Sequence, residues 1–364
     1  MRELFFAALK GHEAEYVEAR YEESEATHVE YNGNRVEEIS RSHNCGGNVR
    51  ALAGGGWGFV SFNRLDGLWD KMELAAKEAR LASGEPFRLS TTEPVTDTIE
   101  PQLEKDPAKV PLALKKGLMD EYNDIMLKSS GIQSSRVIYR DIKRKVIFAN
   151  SEGSYVEQVK PDLALRLTAI ARENGEIQQA GLSLGSQGDF SLIEGLHEQV
   201  REIARRVVAL LSAPQVKGGE YTVILDPILA GVFCHEAFGH LSESDFVYQN
   251  EQLRNIMVLG RRFGGRHLNI VDDATIANLR GSYKYDDEGM PSSRTYLIRE
   301  GTLVGRLHSR ETAARMGEKP TGNARAINYL FPPIVRMSNT YIEPGDVSFE
   351  EMFGENKEGV YVKD

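Results

Sequence analysis

Apolar and polar positions alternate with a period of two across the "THVEYNGNRVEEI" segment, and Asn32-Gly33 sits between the two alternating runs. That pattern predicts a hairpin with a tight turn, because Asn-Gly readily adopts the positive φ angles that such turns require. A glycine-rich reversal in "NVRALAGGGWGFVSFN" predicts a second one, with Gly54 to Gly56 turning the chain and Trp57, Phe59 and Phe62 packing after it. The period then changes. "LDGLWDKMELAAKEARLAS" and "LALKKGLMDEYNDIML" place apolar residues at helical spacing, as does the opening run from Leu4 to Leu9. Between the two later helices, residues 85 to 109 turn to Pro, Thr, Asp and Glu and predict an exposed connector. Strand-like runs follow in "SRVIYRDI", "KVIFAN", "LALRLTAIA" and "IQQAGLSLG", joined by turns at Glu152-Gly153 and Asn174-Gly175. The expected architecture of residues 1–188 is an α+β domain, an antiparallel sheet with helices.

A second domain is expected over residues 189–364. "LIEGLHEQVREIARRVVALLSA" is an amphipathic helix closed by Pro214, and "EYTVILD" is a short strand. Asp226 is a good N-cap with Pro227 at the first helical position, so a helix begins there. Beyond it, "RTYLIREGTLVGRL" reads as a hairpin with Glu300-Gly301 at its tip, and Pro and Gly turns carry the chain to a strand beginning at Gly359. This domain is expected to be mostly β and to be cut short at its C-terminus. No internal repeat, low-complexity tract or heptad pattern interrupts the chain.

With 41% hydrophobic and 27% charged residues in 364, the chain has the composition of a soluble globular protein with room for two or three cores. The net charge of −10 repels nucleic acid and anionic lipid, so neither is an expected partner. The basic "LGRRFGGRH" stretch reads as a solvated loop. Cys45 and Cys234 are too few for a disulfide framework and agree with a reducing compartment, and no segment reads as a leader or a membrane span. The expected location is cytoplasmic.

Chemistry concentrates in "DPILAGVFCHEAFGHLSESD". Neutral imidazole is a good zinc ligand, and an adjacent carboxylate can accept a proton from a water that the metal acidifies. His235 and Glu236 supply both, but the second histidine, His240, is five residues after the first instead of four. On a regular α-helix, residues four apart differ by about 40° around the axis and residues five apart by about 140°. One wide turn with i to i+5 bonding would bring the two rings back into line, and Gly239 is consistent with such local unwinding. The competing reading is two unrelated histidines, one on a buried face and one at the helix end. Glu243 and Asp245 read as oxygen donors or as solvated acids, and Cys234 as a small buried apolar residue. "DDEGMP", with Asp286, Asp287 and Glu288, reads as an acidic turn and takes no assigned role. The other histidines show no paired spacing.

"HEAFGHLSESD" resembles the H-E-x-x-x-H segment of the TldD/PmbA family, cytoplasmic metalloproteases once called modulators of DNA gyrase. "VDDATI", "GSYKYDDEGMPSSRTYLIREGTLVGRL", "TGNARAINY" and "RMSNTYIEPGDVSFEEMF" resemble that family's later blocks in the same order. The resemblance is to the TldD branch, since the sister subunit lacks the two histidines and the glutamate. It implies a zinc peptidase acting on unfolded peptides or precursor leader peptides. His235 and His240 would be the zinc ligands and Glu236 the general base. The implied assembly is a homo-oligomer or a heterodimer with a TldE/PmbA-type sister subunit. In the family a third ligand, a cysteine, comes from a further C-terminal stretch with no counterpart here. The alternative is a non-catalytic subunit that holds extended peptides along a sheet edge.

Overall fold

The computed structural model describes residues 1–82, 84–356 and 358–363. Helix α1 (Arg2–Ala8) leads into the long hairpin expected around Asn32-Gly33, strands β1 (Tyr16–Asn32) and β2 (Arg35–Ala53), which pair antiparallel from Tyr16↔Leu52 to Asn32↔Arg35. Gly33 has φ +59°, in the left-handed region that glycine enters without cost. After the reversal at Gly54 and Gly55 come β3 (Gly56–Phe62), α2 (Leu68–Leu81), β4 (Thr96–Ile99), α3 (Leu112–Lys128), β5 (Ile132–Asn150), β6 (Tyr155–Glu173), β7 (Glu176–Ser186) and α4 (His197–Leu211). They build one seven-stranded sheet in the order β3-β2-β1-β5-β6, with β4 and β7 both pairing to β6.

Two details depart from the pattern along the chain. "SRVIYRDI" and "KVIFAN" are halves of the single strand β5, because the lysines at their junction find carboxylates without breaking the ladder: Lys145 pairs with Glu157 at 2.5 Å and Lys143 with Asp106 at 3.8 Å. The connector is largely exposed, yet Thr96–Ile99 within it forms β4, parallel to Tyr155–Gln158. A half-exposed edge strand needs little apolar alternation, so the sequence pattern does not reveal it.

Helices cover this sheet in two clusters. α3 and α4 bury Tyr122, Met126, Val200 and Val207 against Tyr139, Leu165 and Leu167. α1 and α2 bury Phe5, Met72, Ala75 and Ala79 against Val49, Ala51 and Ile147. Each large apolar side chain so buried contributes about 1.5–3 kcal/mol relative to exposure.

The rest of the chain comprises β8 (Val223–Leu225), α5 (Pro227–Cys234), α6 (Ser244–Gln249), α7 (Glu251–Ile256), β9 (Ile270–Asp273), β10 (Arg294–Arg299), β11 (Thr302–Leu303), α8 (Arg310–Met316), β12 (Ala324–Arg325), β13 (Ile334–Val335), β14 (Thr340–Ile342), α9 (Phe349–Glu355) and β15 (Val360–Val362). Strands β11-β10-β9-β14 form an antiparallel sheet, β12 pairs with β13, and β15 lies parallel to β8. The expectation of a mostly β second domain is therefore corrected to short strands set among helices and turns. Between the strands, turn and loop backbone bonds such as Asp287 N to the Ala324 carbonyl are supplemented by side chains: Asp272 accepts from Ser338 N, Ser338 Oγ and Thr340 Oγ1 at 2.7–2.8 Å. The core here contains Cys234, Val247, Met257, Ile270, Leu297, Ile298, Leu307 and Met337.

The two parts meet through "DDEGMP", a turn as expected, in which Asp286, Asp287 and Glu288 are buried. Glu288 accepts from Arg50 Nη2 of β2 at 3.0 Å and from the backbone N–H of Arg310 at 2.9 Å. Arg310 reaches back to Glu152 at 2.9 Å and to the Ser90 carbonyl at 2.9 Å.

Candidate metal centre

The helix that carries the motif starts as its sequence demands. Asp226 caps it, its Oδ1 accepting from Leu229 N at 2.7 Å, and Pro227 opens the first turn. Regular α-helix lasts only to Cys234. Residues His235–Gly239 form one π-helical turn, and a 3₁₀ turn over His240–Ser242 follows. The wide turn expected from the five-residue spacing is thus present, and it brings the rings together: the centroids of His235 and His240 lie 4.7 Å apart with their planes at 83°. One ligand atom each from His235, Glu236 and His240 can be chosen so that all lie within 4.8 Å of one another. The two imidazoles are half-buried and Glu236 is exposed.

Gly239 serves a different purpose from the one its sequence position suggests. Its φ of −58° is ordinary for any residue, but a Cβ there would lie 2.0 Å from Met337 Sδ. The glycine lets the wide turn press against the segment at residues 335–338, which carries the partners of the acids that follow.

Those acids are not solvated, and only Glu243 touches a histidine. Glu243 is fully buried; its Oε2 is 3.2 Å from His240 Nδ1, while Oε1 accepts from Met337 N at 3.4 Å and lies 3.5 Å from Arg336 Nη1. A carboxylate on Nδ1 fixes the tautomer that leaves Nε2 with its lone pair, the arrangement usual for a metal-binding histidine. Sequence spacing held a trace of this, since Glu243 follows His240 by three residues, but its burial arises from the distant residues 336 and 337. Asp245 accepts from Val335 N at 2.6 Å, and burial pushes its carboxyl above the usual range. Cys234 is buried with its Sγ donating to the Gly231 carbonyl at 3.2 Å, outside the group formed by the two imidazoles and Glu236, and burial pushes its thiol up to about 11.

Another buried histidine, His308, shows the contrasting case. Its Nε2 lies 3.2 Å from both Ser244 Oγ and Glu318 Oε2, and its Nδ1 is 3.1 Å from Thr312 Oγ1. Both nitrogens are occupied, so this ring ties α6 to α8 and offers no free lone pair.

Comparison with known proteins agrees in both sequence and fold. Three family models match the chain in order: PmbA/TldA metallopeptidase domain 1 over residues 17–83, the central domain over 105–211 and the C-terminal domain over 218–364. A metalloprotease of Synechocystis sp. is 44% identical over 353 residues, covering 96% of this chain and 76% of the relative. A zinc metalloprotease TldD homolog of Saccharolobus solfataricus is 28% identical over 360 residues, covering 96% and 77%. The crystal structure of TldE from Thermococcus kodakarensis superposes with a TM-score of 0.80 at 18% identity, covering 100% of this chain and 82% of that one. The chain belongs to the PmbA/TldD metallopeptidase family.

Proposed function

We propose that this protein is a zinc-dependent peptidase that hydrolyses peptide bonds in unfolded peptides or precursor leader peptides. The observation that carries the reading is the single π-helical turn that aligns His235 and His240 with Glu236 beside them. The donor set suits zinc: two imidazoles, one with its second nitrogen held by a buried carboxylate. Relatives named as metalloproteases support a metal, and the Saccharolobus solfataricus relative is named for zinc.

His235 and His240 would hold the ion, with Glu243 keeping the His240 ring from rotating. When bound, zinc supplies Lewis acidity that acidifies water and polarises a carbonyl. Glu236 accepts the proton of the attacking water on its carboxylate and passes it to the leaving amine nitrogen. Its exposure lets a substrate reach it without displacing core residues.

Elemental analysis of the purified chain, paired with cleavage of an unfolded peptide, tests the reading. Zinc should be present, and either His235→Ala or His240→Ala should remove both zinc and cleavage; zinc retained in both variants would refute the site. Glu243→Ala should weaken zinc binding by roughly 10- to 100-fold, measured by competition with a chromophoric chelator, since an unheld ring loses its preferred tautomer and orientation.

A second reading is a non-catalytic peptide-binding or partner subunit. It is favoured by the donor count: among the described residues only two imidazoles and Glu236 gather, whereas catalytic zinc sites usually have three protein ligands with the general base outside that set. Zinc bound without any cleavage would select it. In either reading we expect a homo-oligomer or a pairing with a TldE-type subunit. Ile228, Val232 and Phe233 of α5 and Phe246 of α6 are at least half exposed beside the motif, an apolar surface of the kind that partner chains cover. The two free cysteines support a cytoplasmic setting. No helix among the described residues is long and apolar enough to cross a membrane.

A further inference from the structure

Between the first sheet and the segment around residue 283 lies a cavity of about 460 Å³ whose lining is crowded with cations: Arg20, Arg144, Lys160, Arg280 and Arg325. Arg280 is neutralised by Asp162 through paired contacts of 2.8 and 3.0 Å. The remaining four cations face two carboxylates. Asp287 lies 3.4 Å from Arg20 Nη1 and 3.6 Å from Lys160 Nζ, and Glu22 accepts from Arg20 Nη2 at 3.0 Å. Asp286 does not line the cavity; its carboxylate accepts from the backbone N–H groups of Glu288, Met290 and Ala324. Counting only groups in direct contact, four lining cations share two carboxylates, so positive charge is in excess on this face of the cavity.

Arg20 shows where that excess points. It is only 4% exposed, yet its Nε has no hydrogen-bond partner and its Nη1 has only the 3.4 Å ion-pair approach of Asp287, with no hydrogen bond. Donors on a buried guanidinium are costly to leave unpaired, and an oxyanion in the cavity would pair them. At Lys160, burial lowers the pKa, Asp287 opposes it, and the charges of Arg20 and Arg325 lower it again, so an added anion would act in the same sense as Asp287. Ile142, Pro161 and Ile327 supply apolar wall, so the cavity suits an anion attached to a small organic body.

We propose that this cavity binds the carboxylate of a peptide, from its C-terminus or from an acidic side chain. The preference for an oxyanion stands on the cavity; the choice of a peptide as its carrier rests on the peptidase reading. The cavity is linked to the candidate metal centre through residues 337 and 338. Ser338 lines it, Arg325 Nη1 donates to the Met337 carbonyl at 2.9 Å, and Met337 is the residue packed against Gly239.

The test is calorimetric titration of the full, metal-stripped chain at low salt, so that binding is read without cleavage. The probes are acetyl-tetra-alanine with a free C-terminal carboxylate, its C-terminal amide, the amide with one alanine replaced by glutamate, and inorganic phosphate. At least one carboxylate peptide should bind about 10- to 100-fold more tightly than the neutral amide, the range for charge-assisted hydrogen bonds, and which of the two does so identifies the source. Lys160→Gln should bring that ratio close to one. Arg144→Gln, at a half-buried position of the lining, should lower it as well and serves if the Lys160 variant fails to fold. Equal binding of carboxylate and amide peptides, a ratio that survives both substitutions, or binding of phosphate alone would each overturn the proposal. Failure of the peptidase reading shows separately, as no cleavage by the zinc-loaded chain with the carboxylate preference intact.

Discussion

Glu236→Gln should abolish most peptide cleavage while leaving zinc content unchanged. The substitution keeps the size and shape of the side chain and removes only its capacity to accept a proton. Glu236 is exposed beside the two imidazoles, so no buried charge is lost and the fold should be unaffected. General acid–base catalysis by a positioned side chain contributes about 10²- to 10⁴-fold, and the cleavage rate should fall by at least the lower figure. Metal analysis and rate measured on the same preparation separate the two roles open to Glu236. Cleavage lost with zinc retained marks a base; zinc lost as well marks a ligand, and the donor set would then be two histidines and this carboxylate. An unchanged rate would remove Glu236 from the mechanism altogether.

Local pattern carried much of what the structure shows. The hairpin turns at Asn32-Gly33, Asn174-Gly175 and Glu300-Gly301 are all formed, with Asn174 at φ 49° and Glu300 at φ 48°, because turn chemistry is settled within a few residues. The π-helical turn was legible for a similar reason: two histidines five apart converge only if the helix widens between them. What stayed hidden depended on partners far along the chain. Glu243 and Glu288 are acids in turn-like contexts, and nothing near them says that they are buried. Their partners are Met337, 94 residues away, and Arg50, 238 residues away. The cavity beside Arg20 is hidden in the same way, since its cations come from separate strands and loops.

Arg50→Met should be among the most destabilising single substitutions in the protein. Burial alone would lower the pKa of this guanidinium, but Glu18 and Glu288 outweigh burial and hold it above its ordinary value. Nε lies 2.5 Å from Glu18 Oε1 and Nη2 lies 3.0 Å from Glu288 Oε1, with Trp57 stacked at 4.5 Å. Methionine preserves much of the apolar contact but leaves two buried carboxylates without their shared counter-charge. Breaking a buried pair in this way costs about 3–5 kcal/mol, far more than an exposed pair is worth. Glu288→Gln should cost less, because Arg50 keeps Glu18 while the amide oxygen can still accept from Arg310 N. If the cost arises from uncompensated charge, the double variant should be less destabilised than the sum of the two single ones, a non-additivity readable from urea unfolding midpoints and slopes. Strict additivity, or a loss below about 1 kcal/mol for Arg50→Met, would mean that the junction between the two parts of the molecule is held by apolar packing and that its buried charges are incidental to stability.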